Sequence, residues 1–296
     1  MRVTVLGGDG MLGHVVARTF DASGDDVTVV TRRPPSGDVG RALAGMAVVS
    51  GVDARVEESI AAVLERTRPD VVINCIGVVK QRAAGQEAVE AIQVNSLLPH
   101  QLAAMCAERR ARLVTVSTDC VFSGRTGGYT ESDVPDPLDV YGRSKLLGEV
   151  HQAHAVTLRT SIIGLELGRS TGLVEWFLAQ DGTVGGWDRA LYSGLTTAEF
   201  SRVIRLLVHD HPELSGLWHV AGPNVDKHTL LVQLAMELGR DVEVVRNSEV
   251  VMDRTLDAGR FNAAVGYQPP SWRVMLRELA GEIRARNTER TGTEGG

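Results

Sequence analysis

A tyrosine and a lysine four residues apart are the first pair in this sequence whose types and spacing could do chemistry. Tyr141 and Lys145 fall in a segment with helical character, so their side chains lie on one face, one turn apart. A lysine ammonium beside a phenol favours the phenolate, so we expect the pKa of Tyr141 to lie below its reference value of about 10. Such a tyrosine could exchange a proton near neutral pH. The spacing is also common on surface helices, so its context must support this interpretation.

The context is an apolar run that ends in hydroxyl-bearing side chains upstream of Tyr141. Residues 112–117 are typical of a buried strand, and Thr118 follows at its end. A hydroxyl there could hydrogen-bond a substrate oxygen. Because ligands of open α/β sheets bind beyond the carboxyl ends of the strands, we expect Thr118, Tyr141 and Lys145 to share one cleft.

A glycine-rich turn joins the first apolar run to the first helix-like segment. Gly7, Gly10 and Gly13 follow the pattern G-x-x-G-x-x-G, with Met11 and Leu12 in the same loop. These glycines permit a tight turn, a close approach of a pyrophosphate to the backbone, and close packing of the helix on the strand. The free N–H groups at the start of the helix would then face the phosphates. The turn therefore predicts a dinucleotide-binding site.

The end of the second predicted strand bears on the choice of nicotinamide cofactor. An acidic residue there would accept hydrogen bonds from the ribose 2′-hydroxyl, whereas arginine suits a 2′-phosphate. Arg32 and Arg33 stand at this place, and no acidic residue does. We predict a preference for NADP(H), with NAD(H) as the alternative cofactor. Two solvated surface arginines are the competing interpretation of the pair.

Strand-like and helix-like segments alternate through residues 1–165, and the strands read as continuous apolar runs. This alternation predicts an α/β fold with a doubly wound parallel sheet, a Rossmann dinucleotide-binding domain. Residues 166–285 predict a smaller α/β substrate-binding lobe. The two parts are expected to interleave, because a strand near 216–221 should return to the main sheet. Residues 286–296 are polar and end in glycine, which predicts a flexible tail.

Composition excludes several classes of function. The formal net charge of −6 argues against nucleic-acid binding, which usually requires a basic face. No apolar run is long enough to span a membrane, and three cysteines cannot make a disulfide framework. The eight histidines lack partners at metal-ligand spacing, so no metal site is predicted. We expect a cytoplasmic protein.

The motifs resemble the extended short-chain dehydrogenase/reductases, and in particular the dTDP-4-dehydrorhamnose reductase branch. The resemblance is strong over residues 1–165 and diffuse afterwards. The stretches that carry it are 7–13, 117–124, 129–133 with Pro137, 141–149 and 158–161.

The resemblance implies roles for the residues of the first half. It makes Tyr141 the acid/base, Lys145 the residue that orients the cofactor ribose and supports the tyrosine, and Thr118 the partner of the reacting oxygen. Asp53 matches an acidic residue that often contacts the adenine. Further cofactor contacts are implied at Cys75, Ile76, Gly77, Asn95 and Ser117.

The substrate site is implied less sharply. In this branch the sugar-nucleotide pocket comes from the second half, where Trp187, Ser193 and Arg254 are the best-placed polar residues, with Asp119 contributed by the first half. Arg254 could pair with a diphosphate and Trp187 could stack on a sugar or base. A surface arginine and a core tryptophan are the alternatives. Lys80 is either a substrate contact or a solvated loop side chain, with equal weight.

These features predict an NADPH-dependent reductase of a nucleotide-activated 4-keto-6-deoxysugar in polysaccharide or deoxysugar biosynthesis. A homodimer is compatible with this expectation. A first alternative is a sugar-nucleotide epimerase or dehydratase with tightly bound NAD, against which the missing acidic residue after the second strand argues mildly. A second is a non-catalytic NADP-binding regulatory subunit, against which the complete set of Thr118, Tyr141 and Lys145 argues.

Overall fold

A computed structural model describes residues 1–78, 84–168 and 171–293. Its centre is a sheet of seven parallel strands. The chain builds this sheet outward in both directions from its first strand, so a topological switch point lies between the first and fourth strands. From one edge to the other, the strands are β11 (Gly216–His219), β6 (Ala155–Thr160), β5 (Arg112–Thr118), β4 (Val71–Asn74), β1 (Arg2–Leu6), β2 (Asp26–Val30) and β3 (Ala47–Val49).

Helices connect these strands and cover the sheet. Two apolar clusters hold the layers together: Val71 and Ile73 contribute to one and Val72 to the other, since alternate strand residues point to opposite faces. A π-helical turn, Ile92–Leu97, precedes α5, and a 3₁₀ turn, Asp119–Val121, follows β5. The helices of this part are α1 (Gly13–Asp21), α2 (Gly37–Ala42), α3 (Glu57–Thr67), α4 (Ala84–Ala91), α5 (Leu98–Arg109) and α6 (Val140–Leu147).

The second half adds helices and short strand pairs. Strand β13 pairs with β8, β10 with β7, and β9 lies between β12 and β14. The strands are β7 (Ile162–Ile163), β8 (Gly182–Trp187), β9 (Ala190–Tyr192), β10 (Leu195–Thr196), β12 (Val225–Asp226), β13 (Val242–Asn247) and β14 (Met252–Asp253). The helices are α7 (Leu173–Leu178), α8 (Thr197–His209), α9 (Lys227–Leu238), α10 (Gly259–Val265) and α11 (Trp272–Thr293).

The predicted Rossmann architecture is confirmed by this sheet. The expected late strand is β11, which pairs in parallel with β6, so the second half of the chain completes the sheet of the first. The division into domains at residue 165 stays a prediction.

Most of the predicted flexible tail is helical, and its flexibility stays a prediction. Helix α11 continues to Thr293, past the expected end near residue 285. Ion pairs hold this last part of the helix in place: Arg286 pairs with Glu175 and Arg290 with Asp38. The polar side chains of this segment therefore include some that bind partners far away in sequence.

Across the described part of the chain, none of the helices combines the length and the apolar character that crossing a bilayer requires.

Candidate active site

The glycine turn has the geometry of a phosphate cradle. Gly7 has φ +81°, and its backbone N–H donates to the Val30 carbonyl at 3.0 Å. A Cβ on Gly13 would lie 2.1 Å from the Gly7 carbonyl oxygen, so a side chain there would push α1 off the turn. The helix N-terminus can therefore approach the turn closely only with glycine at this position, and the residues fit a bound pyrophosphate.

A cavity of about 290 Å³ opens beside this turn, at the carboxyl ends of β1, β2 and β4. Half of the fourteen residues predicted to bind the cofactor line it, namely Gly7, Gly10, Arg32, Asp53, Cys75, Ile76 and Gly77. Met11 is half-buried in the adjoining turn, while Leu12 is buried in the main core, where it anchors the start of α1. Arg33 is exposed, and its role as a cofactor residue stays a prediction.

Arg55 also lines this cavity, although it was not predicted as a site residue. Its guanidinium pairs with the Asp53 carboxylate, and this hydrogen-bonded pair, with a smaller contribution from Arg32, lowers the pKa of Asp53 to about 2. Asp53 is therefore a permanent anion that holds Arg55 at the cavity wall. The signal in the sequence was an arginine two residues after the implied adenine contact, in the loop that follows β3.

Thr118 and Tyr141 come together at the end of β5. The Asp139 carboxylate caps α6 by accepting from the Gly142 N–H at 2.8 Å, which sets Tyr141 in the first turn of the helix. The Thr118 side chain hydrogen-bonds the Tyr141 hydroxyl. Thr118 also accepts from the Cys120 N–H at 3.2 Å, so its orientation is fixed by the 3₁₀ turn.

The expected depression of the Tyr141 pKa is wrong. Burial of the hydroxyl raises its pKa above the ordinary value, nearby Cys120 and Asp119 add to this rise, and the hydrogen bond with Thr118 opposes it only in part. The physical reason is desolvation, which disfavours the charged phenolate more than its neighbours stabilise it. Tyr141 therefore keeps its proton through neutral pH and is suited to act as an acid.

Lys145 lies between Tyr141 and the cofactor cavity. Its ammonium donates to the Val116 carbonyl at 2.6 Å, and a Cβ on Gly77 would lie 3.8 Å from Nζ. Burial lowers the pKa of Lys145 to about 8, against the opposing effect of Glu149 and Cys75. Gly77 is thus the point at which the cavity meets the Tyr141–Lys145 pair.

Glu149 favours the charged form of Lys145, a role that the sequence did not predict. Its carboxylate accepts two hydrogen bonds of 2.7 Å from Arg159 of β6, and both side chains are only 3% exposed. The Ser117 hydroxyl also donates to Glu149 at 2.7 Å. The Ser117 hydroxyl thus has a partner within the protein. Its predicted contact with the cofactor stays a prediction.

Asn95 joins α6 to the segment that follows β4 and borders the cavity. Its side-chain amide donates to the Val78 carbonyl at 2.9 Å and to the Ser144 hydroxyl at 3.1 Å, and its carbonyl accepts from the Val78 N–H. The π-helical turn that carries Asn95 widens the helix locally and turns the side chain toward these partners. Asn95 therefore ties the Gly77 segment to the helix of Tyr141 and Lys145.

Two cationic side chains interact with the buried carboxyl group of Asp119. Burial raises the pKa of Asp119, while Arg254 and Lys227 oppose this rise. Arg254 is 9% exposed, donates to the Cys120 sulfur at 3.2 Å, and leaves its Nε without a hydrogen-bond partner among the described residues. Lys227, which the sequence analysis did not select, lies with its Nζ 3.8 Å from the centre of the Tyr192 ring.

The remaining residues predicted to bind substrate are Ser193, Trp187 and Lys80. The Ser193 hydroxyl accepts from the Leu256 N–H at 2.9 Å, which fixes the segment that carries Arg254. Trp187 is 44% exposed at the end of β8, beside Asn247 of β13. Both assignments stay predictions, and Lys80 lies outside the described residues.

A metal site was not predicted, and within the described ranges no three His, Cys, Asp or Glu side chains are grouped so that they could hold a metal ion.

Comparison with known proteins adds two curated relatives. A probable low-salt glycan biosynthesis reductase of Haloferax volcanii is 35% identical over 158 residues, covering 53% of this chain and 49% of the relative. A dTDP-4-keto-6-deoxy-D-glucose reductase of Streptomyces niveus is 33% identical over 151 residues, covering 50% of this chain and 46% of the relative. The chain thus spans about half the length of these relatives.

Solved structures share the fold over nearly the whole chain. The dTDP-4-dehydrorhamnose reductase of Bacillus anthracis, in complex with NADP, superposes with a TM-score of 0.78 at 21% identity, covering 95% of this chain and 99% of that chain. The UDP-glucose 4-epimerase of Thermotoga maritima, with UDP-glucose, superposes with a TM-score of 0.80 at 18% identity, covering 97% and 99%.

The family model for the RmlD substrate binding domain matches residues 1–175. This is more than half of the sequence, and it includes the glycine turn, Thr118, Tyr141 and Lys145. The chain therefore belongs to the RmlD substrate binding domain family.

Proposed function

We propose that the protein is an NADPH-dependent reductase of a nucleotide-linked 4-keto-6-deoxysugar. The observation that carries this proposal is the hydrogen-bonded Thr118–Tyr141 pair with Lys145 beside it, joined at Gly77 to the cavity of the glycine turn. The names of the relatives, a dTDP-4-keto-6-deoxy-D-glucose reductase among them, favour the same chemistry.

The proposed cofactor is NADPH, which supplies the hydride when bound. The glycine turn and the start of α1 would hold its pyrophosphate. Arg32 and Arg55 stand in the wall of the same cavity, and their charges suit a 2′-phosphate. The Asp53 carboxylate is already paired with Arg55, which makes it a weaker partner for a ribose hydroxyl. This supports NADPH over NADH.

Tyr141 acts as the general acid in this proposal. Its raised pKa keeps the hydroxyl protonated, so it can give a proton to the oxygen that gains negative charge when the carbonyl is reduced. The Thr118 hydroxyl, which donates to Asp119 at 3.1 Å, turns to donate to the same oxygen when substrate binds. Lys145 places a positive charge next to the pair, which stabilises the phenolate left behind. Because these groups are fixed by β5, α6 and Asn95, they meet the substrate with little reorganisation.

The proposal is tested by mixing the purified protein with NADPH and with dTDP- or UDP-linked 4-keto-6-deoxysugars. We expect NADPH absorbance to fall with at least one of them. Replacing Tyr141→Phe should lower kcat by about 100-fold or more, the usual contribution of a general acid, with the Kd for NADPH unchanged. Retention of NAD through purification, with no net oxidation of NADPH, would instead support the epimerase or dehydratase alternative. A Tyr141→Phe variant with full biological activity would support the regulatory subunit.

We also expect the protein to work in a reducing compartment such as the cytoplasm. Its three cysteines, Cys75, Cys106 and Cys120, are free thiols, and burial raises the pKa of Cys75 and of Cys106 to about 12.

A further inference from the structure

Lysine is rare in this chain, and that rarity draws attention to Lys227. Of the 31 basic residues only three are lysine, at positions 80, 145 and 227. The positive charge of Lys and Arg side chains is thus supplied almost wholly by arginine. Arginine and lysine differ where a compact, rotatable group of donors is needed, as for Lys145 in the site described above. The same reasoning directs attention to Lys227.

The position of Lys227 is costly for a residue with only a structural role. It is the first residue of α9, where the helix dipole disfavours a cation. Asp226 does not neutralise it, because the Asp226 carboxylate caps the helix through the backbone N–H and hydroxyl of Thr229, both at 2.7 Å. Burial lowers the pKa of Lys227 to about 8. Stability alone does not account for a half-buried cation at this end of a helix.

The ammonium of Lys227 also lacks acceptors. Within the described part of the chain it makes no hydrogen bond and no ion pair, and its one defined contact is the Tyr192 ring, 3.8 Å from Nζ. Lys227 is half-buried, and the ring face attracts its charge without occupying its N–H donors. These donors are therefore open to an acceptor on a ligand.

The groups beside Lys227 connect it to the reacting centre. Its charge interacts with those of Asp119 and Cys120, and both of these also affect the pKa of Tyr141. A Cβ on Gly142, the residue after Tyr141, would lie 2.2 Å from the Cys120 carbonyl oxygen, so this turn packs directly against the start of α6. The Thr118 hydroxyl donates to Asp119 Oδ1 at 3.1 Å. Lys227 and Asp119 therefore stand next to the site where the carbonyl would be reduced.

We propose that Lys227 and Asp119 together bind the hydroxyl group on the sugar carbon next to the reacting carbonyl. Lys227 donates a hydrogen bond to the hydroxyl oxygen, and the hydroxyl donates a hydrogen bond to the Asp119 carboxylate. A hydroxyl is both donor and acceptor, so it satisfies an ammonium and a carboxylate at once. This inference rests on the proposed function.

The carbon in question follows from the chemistry of the substrate. In a 4-keto-6-deoxyhexose the carbonyl is flanked by C3 and C5, and C5 carries the ring oxygen and the methyl group. Only C3 carries a free hydroxyl. The pair would therefore select sugars with a C3 hydroxyl and would align the C4 carbonyl with Thr118 and Tyr141.

The test compares dTDP-4-keto-6-deoxyglucose with its 3-deoxy analogue in the wild-type protein and in Lys227→Met. A site built for a hydroxyl rejects an analogue that lacks it, so we expect the wild type to prefer the hydroxylated sugar by about 100-fold or more in kcat/KM. In Lys227→Met the hydroxylated sugar should lose about 100-fold while the 3-deoxy sugar changes by less than about threefold. The selectivity would then disappear.

Two controls separate this role from a structural one. Arg273→Met removes a cation whose side chain is 77% exposed and should change neither substrate. The Kd for NADPH and the melting temperature of Lys227→Met show whether it is folded. A folded Lys227→Met protein that still prefers the hydroxylated sugar would overturn the inference, and Lys227 would then serve only to pack on Tyr192.

A binding experiment keeps the inference distinct from the reductase assignment. Calorimetry with NADP⁺ and dTDP-6-deoxyglucose, or its 3-deoxy analogue, measures the same selectivity without turnover. If the wild type turns over neither ketosugar but binds the hydroxylated product selectively through Lys227, the reductase assignment fails and the inference holds. Equal binding of the two products by the wild type would overturn the inference.

Discussion

The Glu149 carboxylate interacts with the Lys145 ammonium and favours its charged form. Replacing Glu149→Gln keeps the shape of the side chain and removes this charge. Since Lys145 already has a pKa of about 8, losing the carboxylate lowers it further, and the ammonium is then lost at a lower pH. We expect the alkaline limb of NADPH binding and of kcat/KM to move down by about one pH unit. Fluorescence titration of NADPH at a series of pH values measures the first shift.

The substitution also leaves Arg159 buried without its anionic partner, which costs about 3–5 kcal/mol in such pairs. The melting temperature should fall, so the titrations are made well below it. Glu65→Gln is the matched control, because Glu65 is 69% exposed and lies 4.0 Å from Arg109. An alkaline limb that stays at the wild-type pH in folded Glu149→Gln would show that Glu149 only holds Arg159.

At the scale of a single element, the start of α1 depends on glycine. Replacing Gly13→Ala puts a Cβ 2.1 Å from the Gly7 carbonyl oxygen, so the helix must move off the turn. We expect a loss of about 1–3 kcal/mol in the free energy of unfolding, typical of overpacking, and at least about tenfold weaker NADPH binding. Denaturant unfolding and fluorescence titration measure the two effects.

The same chemical change in another helix should have the opposite sign. Gly281 lies in α11 with open space around its Cα, so Gly281→Ala should stabilise the protein by about 0.5–1 kcal/mol and leave NADPH binding unchanged. If Gly13→Ala binds NADPH as tightly as Gly281→Ala does, the turn is not the phosphate cradle.

We expect the two halves of the chain to unfold together, because they share one apolar core. The largest apolar cluster contains Phe20 from α1 and Phe200 and Ile204 from α8. Arg112 of β5 donates to the carbonyls of Leu207 and Leu214 at 2.6 and 2.7 Å. A fragment of residues 1–165 lacks β11, the outer partner strand of β6, and about half of this core. We expect it to show no cooperative thermal transition by circular dichroism, while the full chain melts in one step.

A chain that ends after Arg290 is the control for this experiment. It retains the sheet, the core and the ion pair between Arg290 and Asp38, so its melting temperature should stay close to that of the full chain. A fragment 1–165 that melts cooperatively would instead support the domain boundary predicted from the sequence.

The sequence by itself determined the features that depend on neighbours along the chain. The glycine turn could be predicted because its three glycines, the strand before it and the helix after it are contiguous. Tyr141 and Lys145 could be paired because helix geometry brings residues four apart onto one face. The parallel sheet followed from the alternation of apolar runs with helical segments.

Only the tertiary structure decided the features that depend on distant segments. Glu149, which follows α6, pairs with Arg159 of β6, and the charges of Lys227 and Asp119 interact although the two residues are more than 100 positions apart. The pKa of Tyr141 rises because residues from several elements exclude water from its hydroxyl. Desolvation and charge–charge interactions act through space, so no spacing along the chain reveals their sign or their size.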